Sequence, residues 1–153
     1  RMKTTKHEGP LATAVRLLAR RDHSEHELRA KLKQRGFSMT EIDAALERVK
    51  NEGYLDDERI KIRMIEKLVR EQRSGLHVII GKLRLMGLTV STETVREYLS
   101  VEAEWELALN LLEKQKVDFD QENYPRLVRI LNNRGFSRPI LSRLAEKCLK
   151  HQY

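Results

Sequence analysis

General acid–base, nucleophilic or metal chemistry needs a few titratable side chains within reach of one another, and the chain offers five histidines, one cysteine and several carboxylate pairs. His7, His23, His26, His77 and His151 are scattered. His23 and His26 flank Ser24-Glu-His-Glu27, which has the capping-box pattern, and solvated polar residues are ordinary at a helix start. Cys148 and His151 have a ligand-like spacing of three, but no second pair accompanies them. A metal centre needs three or four ligands, so Cys148 reads as a small core residue. Asp56 and Asp57 have the residue types of an acid and a base. With Glu58 beside them at a helix start, capping and the helix dipole explain them better. Gly75 to Lys82 echoes a phosphate loop but has one residue too many, lacks the Ser/Thr, and is apolar inside. No catalytic group, cofactor or metal is expected, and the chain reads as a non-enzyme.

Charge is more informative. The chain carries 30 Lys+Arg against 23 Asp+Glu, a net +7. Residues 1–50 hold 12 basic and 7 acidic side chains, so five of the seven excess charges fall in the first third. Arg20, Arg21, Arg29, Lys31, Lys33 and Arg35 crowd together there, Lys82 and Arg84 follow in the middle of the chain, and Arg129 and Arg134 near its end. Each alone suits a solvated helix face. As a set they point to a surface for a polyanion or an acidic protein.

The elements that position these residues follow from a pattern said three times. Leu32-Lys-Gln-Arg-Gly36-Phe-Ser38, Leu83-Arg-Leu-Met-Gly87-Leu-Thr89 and Leu131-Asn-Asn-Arg-Gly135-Phe-Ser137 share Leu, three residues, Gly, a large apolar residue, then Ser or Thr. Gly supplies the left-handed position after a helix, the apolar residue folds back on the last turn, and Ser or Thr caps the next helix. Near-equal spacing signals an internal repeat. Apolar residues recur at helical spacing between the joints. Leu11, Val15 and Leu18 mark a first helix; Leu28 and Leu32 a second, opened by Ser24 and Glu27; Ile42, Ala45, Leu46 and Val49 a third, stopped at Gly53. Tyr54 and Leu55 are expected to plug a seam, and Asp56 or Asp57 to cap the long helix of Ile60, Met64, Ile65, Leu68 and Val69. Leu76, Ile80 and Leu83, then Val95, Tyr98 and Leu99 in a short helix after Ser91 or Thr92, complete the second group. Trp105, Leu109 and Leu112, widened by Leu107 and Leu111, then Tyr124, Leu127, Val128 and Leu131, then Leu141, Leu144, Ala145 and Cys148 make the third, with Pro139 in a first turn.

The fold class expected is all-α: three tandem three-helix repeats in an elongated, curved stack. A loose arm at 1–10 precedes repeats at 11–56, 57–100 and 101–153. No apolar run approaches the roughly 18 residues of a membrane span. One cysteine excludes an internal disulfide, and a cytoplasmic monomer is expected.

The joint spacing also fits a DNA-binding helix-turn-helix, with Gly36, Ile42 and Ala45 in register. The would-be recognition helix shows Glu41, Asp43 and Glu47 outward, which repel phosphates. The Gly135 copy, with Arg138, Ser142, Arg143 and Lys147, is less hostile. A nucleic-acid module of such units is the alternative reading.

Arg21-x-x-Ser-x-x-Glu-Leu-x-x-Lys-Leu32, Gly53-Tyr-Leu-Asp-Asp57 and Ile80-Gly-Lys-Leu-Arg-Leu-Met-Gly-Leu88 resemble, in this order, the RecX family of bacterial RecA regulators. The resemblance spans nearly the whole chain from about residue 11. It implies three three-helix units that bind RecA and lie along its filament on single-stranded DNA. Filament extension, ATP hydrolysis, strand exchange and the co-protease activity behind the SOS response would fall as a result. The chain departs from the family pattern at Ile60-Lys61 and Leu76, where relatives often carry aromatic residues. The family motifs are structural joints, so no sharply defined functional residue carries over.

Overall fold

The computed structural model describes residues 8–150. His7, His151 and most of the expected arm lie outside them. Every regular element among the described residues is a helix: α1 (Pro10–Arg20), α2 (Glu25–Gln34), α3 (Met39–Asn51), α4 (Asp57–Glu71), α5 (Leu76–Leu85), α6 (Thr92–Arg96), α7 (Val101–Glu113), α8 (Tyr124–Asn133) and α9 (Arg138–Leu149). They fall into three repeats of three, and each repeat turns on the glycine joint between its second and third helices.

The joints are built as their residues dictate. Gly36, Gly87 and Gly135 have φ of +87°, +77° and +74°. Phe37 N–H reaches back to Leu32 O, and Phe136 N–H to Leu131 O. These bonds satisfy carbonyls that the helix end would otherwise strand. Ser24 with Glu27 and Ser38 with Glu41 form complete capping boxes on α2 and α3. The other two joints cap differently. Ser91, not Thr89, caps α6. Ser137 holds the N-cap position of α9 without a side-chain cap bond, because its hydroxyl donates to Glu104.

The chain divides into two compact units, one holding residues up to Ile62 with Leu85–Leu88, the other Arg63–Arg84 with the chain from Thr89 onward. The first closes over Ala14, Leu17, Leu28, Leu32, Ile42, Leu46, Val49 and Leu55. Within the second, α7, α8 and α9 enclose Leu107, Ala108, Leu112, Leu127, Leu131, Phe136, Ile140, Leu144 and Cys148.

Several faces differ from the sequence expectation: α5 turns Ile79 inward and leaves Ile80 half-buried, and α9 turns Ile140 inward and leaves Leu141 half-buried. In α1 the inward residues are Thr13, Ala14 and Leu17, while Leu11 and Leu18 are half-buried and Val15 is exposed. Small Ala14 lets α3 approach closely, which turns the helix away from the bulkier stripe. In α7 the inward side is Glu104, Leu107, Ala108 and Leu112, and Trp105 and Leu109 stand half-buried at its edge. A stripe drawn through apolar residues cannot pass through a glutamate. After Gly53, Leu55 alone is buried; Tyr54 is 54% exposed and plugs nothing.

Candidate interaction surface

The structure separates the six basic residues of the first repeat by what they touch. Arg29 is spent internally, its guanidinium 2.7 Å from Asp43 Oδ1 and 3.7 Å from Glu25 Oε1. Arg21 donates to the Asp22 carbonyl at 2.9 Å and lies 3.9 Å from Glu27. Arg20, Lys31, Lys33 and Arg35 make no ion pair or side-chain hydrogen bond among the described residues, and Lys33 and Arg35 are exposed. Lys31 and Arg35 are four apart and share a side of α2, whereas Lys33 points away from both. Arg20, Arg21 and Lys31 meet around one pocket, lined also by Leu17 and His23.

His23 is not the solvated residue its place beside a helix cap suggested. It is 2% exposed, with Nδ1 3.0 Å from the Arg21 carbonyl. Burial, the main cause, holds its pKa below the ordinary histidine value. Nothing in the residue's sequence setting signals this, because the His23 side chain is enclosed by packing rather than by its own helix. The two aspartates after Leu55 share the work expected of one. Asp56 Oδ1 accepts the Arg59 N–H at 3.2 Å and caps α4, while Asp57 Oδ1 accepts the Glu25 N–H at 2.8 Å and ties down the start of α2. Cys148 is buried, and desolvation pushes its thiol pKa up. No group of three or more metal-ligating side chains occurs among the described residues.

The three glycine joints are alike in backbone and unlike in what lies over them. At Gly87 the first turn of α2 covers the joint: the Ser24 hydroxyl donates to the Met86 carbonyl, and a Cβ on Gly87 would collide with the His26 side chain. At Gly135 the first turn of α5 does the same. Gly75 N–H donates to the Arg134 carbonyl and His77 N–H to the Gly135 carbonyl, both at 2.8 Å, and a Cβ would collide with Val78. Arg134, a candidate contact residue, is partly used here, donating to the Arg73 carbonyl at 3.2 Å. Gly36 has no described atom within 4 Å of where a Cβ would stand. Leu88 and Phe136 are buried beside their glycines, but Phe37 is only half-buried, Ser38 is exposed and Met39 is 71% exposed. The uncovered joint is therefore the one that carries Lys33 and Arg35.

In the second unit Lys82, Arg84 and Arg129 are exposed and unpaired among the described residues. The basic residues of the Gly135 copy are more committed. Arg143 forks onto both Glu102 oxygens at 3.0 and 2.6 Å, and Lys147 lies 4.9 Å from the Phe119 ring centroid. The residue that sequence reasoning missed here is Glu104, fully buried. Its carboxylate accepts from Leu76 N–H at 2.9 Å, Ser137 N–H at 3.0 Å, the Ser137 hydroxyl and the Arg96 guanidinium at 2.9 Å. One side chain thus joins the starts of α5 and α9 to α6 and α7. The only sequence signal was negative, a Glu where the α7 stripe needed an apolar residue.

Comparison with known proteins places these features. Residues 11–48 match the family model described as RecX, first three-helix domain. The regulatory protein RecX of Thermus thermophilus is 40% identical over 82% of this chain and 82% of its own. The regulatory protein RecX of Pelodictyon phaeoclathratiforme is 32% identical over 84% of this chain and 81% of its own. The crystal structure of RecX from Lactobacillus salivarius superposes with a TM-score of 0.75 at 15% identity, covering 90% of this chain and 92% of that one. At that identity the likeness shows the fold alone.

Proposed function

The chain belongs to the RecX family of regulatory proteins, and from that premise we propose that it regulates RecA by binding the RecA filament on single-stranded DNA. In this reading it limits filament extension, and with it ATP hydrolysis, strand exchange and co-protease activity, so tuning DNA repair and the SOS response. It acts by contact rather than catalysis, in the cytoplasm, as a monomer and without a cofactor. The reading is carried by the 40% identity to a regulatory protein RecX across most of both chains. The surface around Gly36 supports the place of contact, where Arg35, with no ion pair among the described residues, and Met39, 71% exposed, flank the uncovered joint. Positive charge beside an apolar patch suits an acidic protein surface better than bare phosphate alone. The outward Glu41, Asp43 and Glu47 of α3 are all exposed and weigh against α3 entering a DNA groove.

DNA-dependent ATP hydrolysis by RecA, measured with this chain added well below the RecA concentration, tests the reading; inhibition is expected. Unchanged hydrolysis at every ratio, together with tight DNA binding, would favour the free-standing nucleic-acid module. Changing Lys31, Lys33 and Arg35 together to Glu reverses three charges on α2 and its C-cap. It is expected to raise the concentration for half-inhibition roughly tenfold or more with helicity preserved. Full-strength inhibition by that variant would place the contact elsewhere, with Lys82, Arg84 and Arg129 the next set to change.

A further inference from the structure

We infer that the pocket formed by the end of α1 and the side of α2 is a binding site for a phosphate-class oxyanion. The pocket has a volume of about 370 Å³ and is lined by Leu17, Arg20, Arg21, His23 and Lys31. Four of these five carry or can carry positive charge. Arg20 and Lys31 have no ion pair or side-chain hydrogen bond among the described residues, and Arg21 is held only by the Asp22 carbonyl and a distant Glu27.

A basic lining alone would describe any solvated surface. His23 provides the independent observation. The residue is 2% exposed, and its Nε2 is the one buried side-chain nitrogen or oxygen without a hydrogen-bond partner among the described residues. A carbonyl can only accept, so Nδ1, 3.0 Å from Arg21 O, carries the ring hydrogen in the neutral form and Nε2 is a bare acceptor. Proteins rarely leave such an atom unpaired without a use for it. With Nδ1 committed to the backbone, Nε2 is what the ring has left to offer the pocket.

An oxyanion resolves every part of this arrangement. When it binds, Nε2 takes a proton and donates it in a hydrogen bond to one oxygen, while Lys31 and the arginines serve the others. A tetrahedral phosphate or sulfate has oxygens for all these donors. A planar carboxylate presents both of its oxygens on one side of its carbon, whereas a tetrahedral anion turns an oxygen toward each wall of the pocket. In the empty pocket burial keeps His23 neutral; Arg21 and Lys31 push the same way, and Glu27 and the Arg21 carbonyl oppose them. The anion's charge reverses that balance. Proton and anion are therefore taken up together, and binding tightens as pH falls.

This site is tested on the full chain with no other protein present, so its outcome is independent of the RecA reading. The probes are sulfate, whose charge is constant across the range, a short oligothymidylate and a glutamate-rich peptide, at low salt. The readouts are the imidazole resonances of His23 by NMR, with His77 as internal reference, and the affinity of each probe. With sulfate, the His23 titration is expected to move to higher pH while His77 stays unchanged. Affinity should rise from about pH 8 to about pH 6, and Lys31→Ala should weaken it roughly tenfold. His23→Gln, which can donate without titrating, should still bind but lose the pH dependence. Oligothymidylate acting like sulfate assigns the natural ligand to a nucleic-acid backbone; sulfate acting alone assigns it to a free oxyanion. The inference is overturned if His23 responds to no anion, if the glutamate-rich peptide binds as well as sulfate, or if Lys31→Ala and Arg20→Ala change nothing.

Discussion

Replacing Glu104 by Leu should remove about 3–5 kcal/mol from the stability of the second unit, the range expected when one partner of a buried ion pair is deleted. Three consequences combine. The Arg96 guanidinium, 20% exposed, loses its carboxylate and keeps only the Leu99 carbonyl and the Ser137 hydroxyl. The Leu76 and Ser137 amides, each bonded to Glu104 Oε2, are stranded at the first turns of α5 and α9, at a typical cost of about 1–3 kcal/mol for each buried donor. The Ser137 hydroxyl, already diverted from capping α9, loses its acceptor. Arg96→Met should fall in the same range, because it leaves a fully buried carboxylate with three donors but no counter-charge. The double variant should not return to wild type, since the charge is gone but the two amides remain unpaired. Trp105, the chain's single tryptophan, stands on α7 beside Glu104 and reports unfolding of this unit in urea by fluorescence. A Glu104→Leu midpoint within the error of wild type, or above it, would mean that apolar packing holds α5, α7 and α9 together and the carboxylate is incidental.

Glu104 also marks where the sequence stopped being legible. Local devices were readable because their cause lies within a few residues. A left-handed glycine and a capping box are each written in four to seven positions, and Gly36, Ser24–Glu27 and Gly53 are built accordingly. Helix number and order followed from these. The readings that failed depend on what lies across the fold. Ser137 matches the joint pattern, but Glu104, 33 residues away, claims its hydroxyl. Ala14 displaces Val15 from the core of α1 because a neighbouring helix comes close. Among the basic residues, sequence could list Arg29 and Lys31 with equal weight. Only the fold shows Arg29 paired to Asp43 and Glu25 while Lys31, beside a buried histidine, has no ion pair among the described residues.

The same distinction between local and distant causes sets the second large effect. Gly135→Ala should destabilise the chain by about 3 kcal/mol or more, and Gly36→Ala by only about 1 kcal/mol, although the two glycines share one motif. Both hold positive φ, so both variants incur the left-handed penalty of an L-residue, about 1–2 kcal/mol. At Gly36 that penalty is the whole effect, because the new methyl meets no described atom within 4 Å. At Gly135 the methyl meets the Val78 side chain and backbone N. Relief requires moving the first turn of α5, whose Gly75 and His77 amides are bonded to Arg134 and Gly135. Urea midpoints for the two variants check the contrast, and Gly87→Ala, which meets the His26 side chain, should fall with Gly135→Ala. Equal losses at Gly36 and Gly135 would show that backbone strain alone sets the cost and that covering a joint adds nothing. A large gap would show that a helix start seated on a joint is a strong contact.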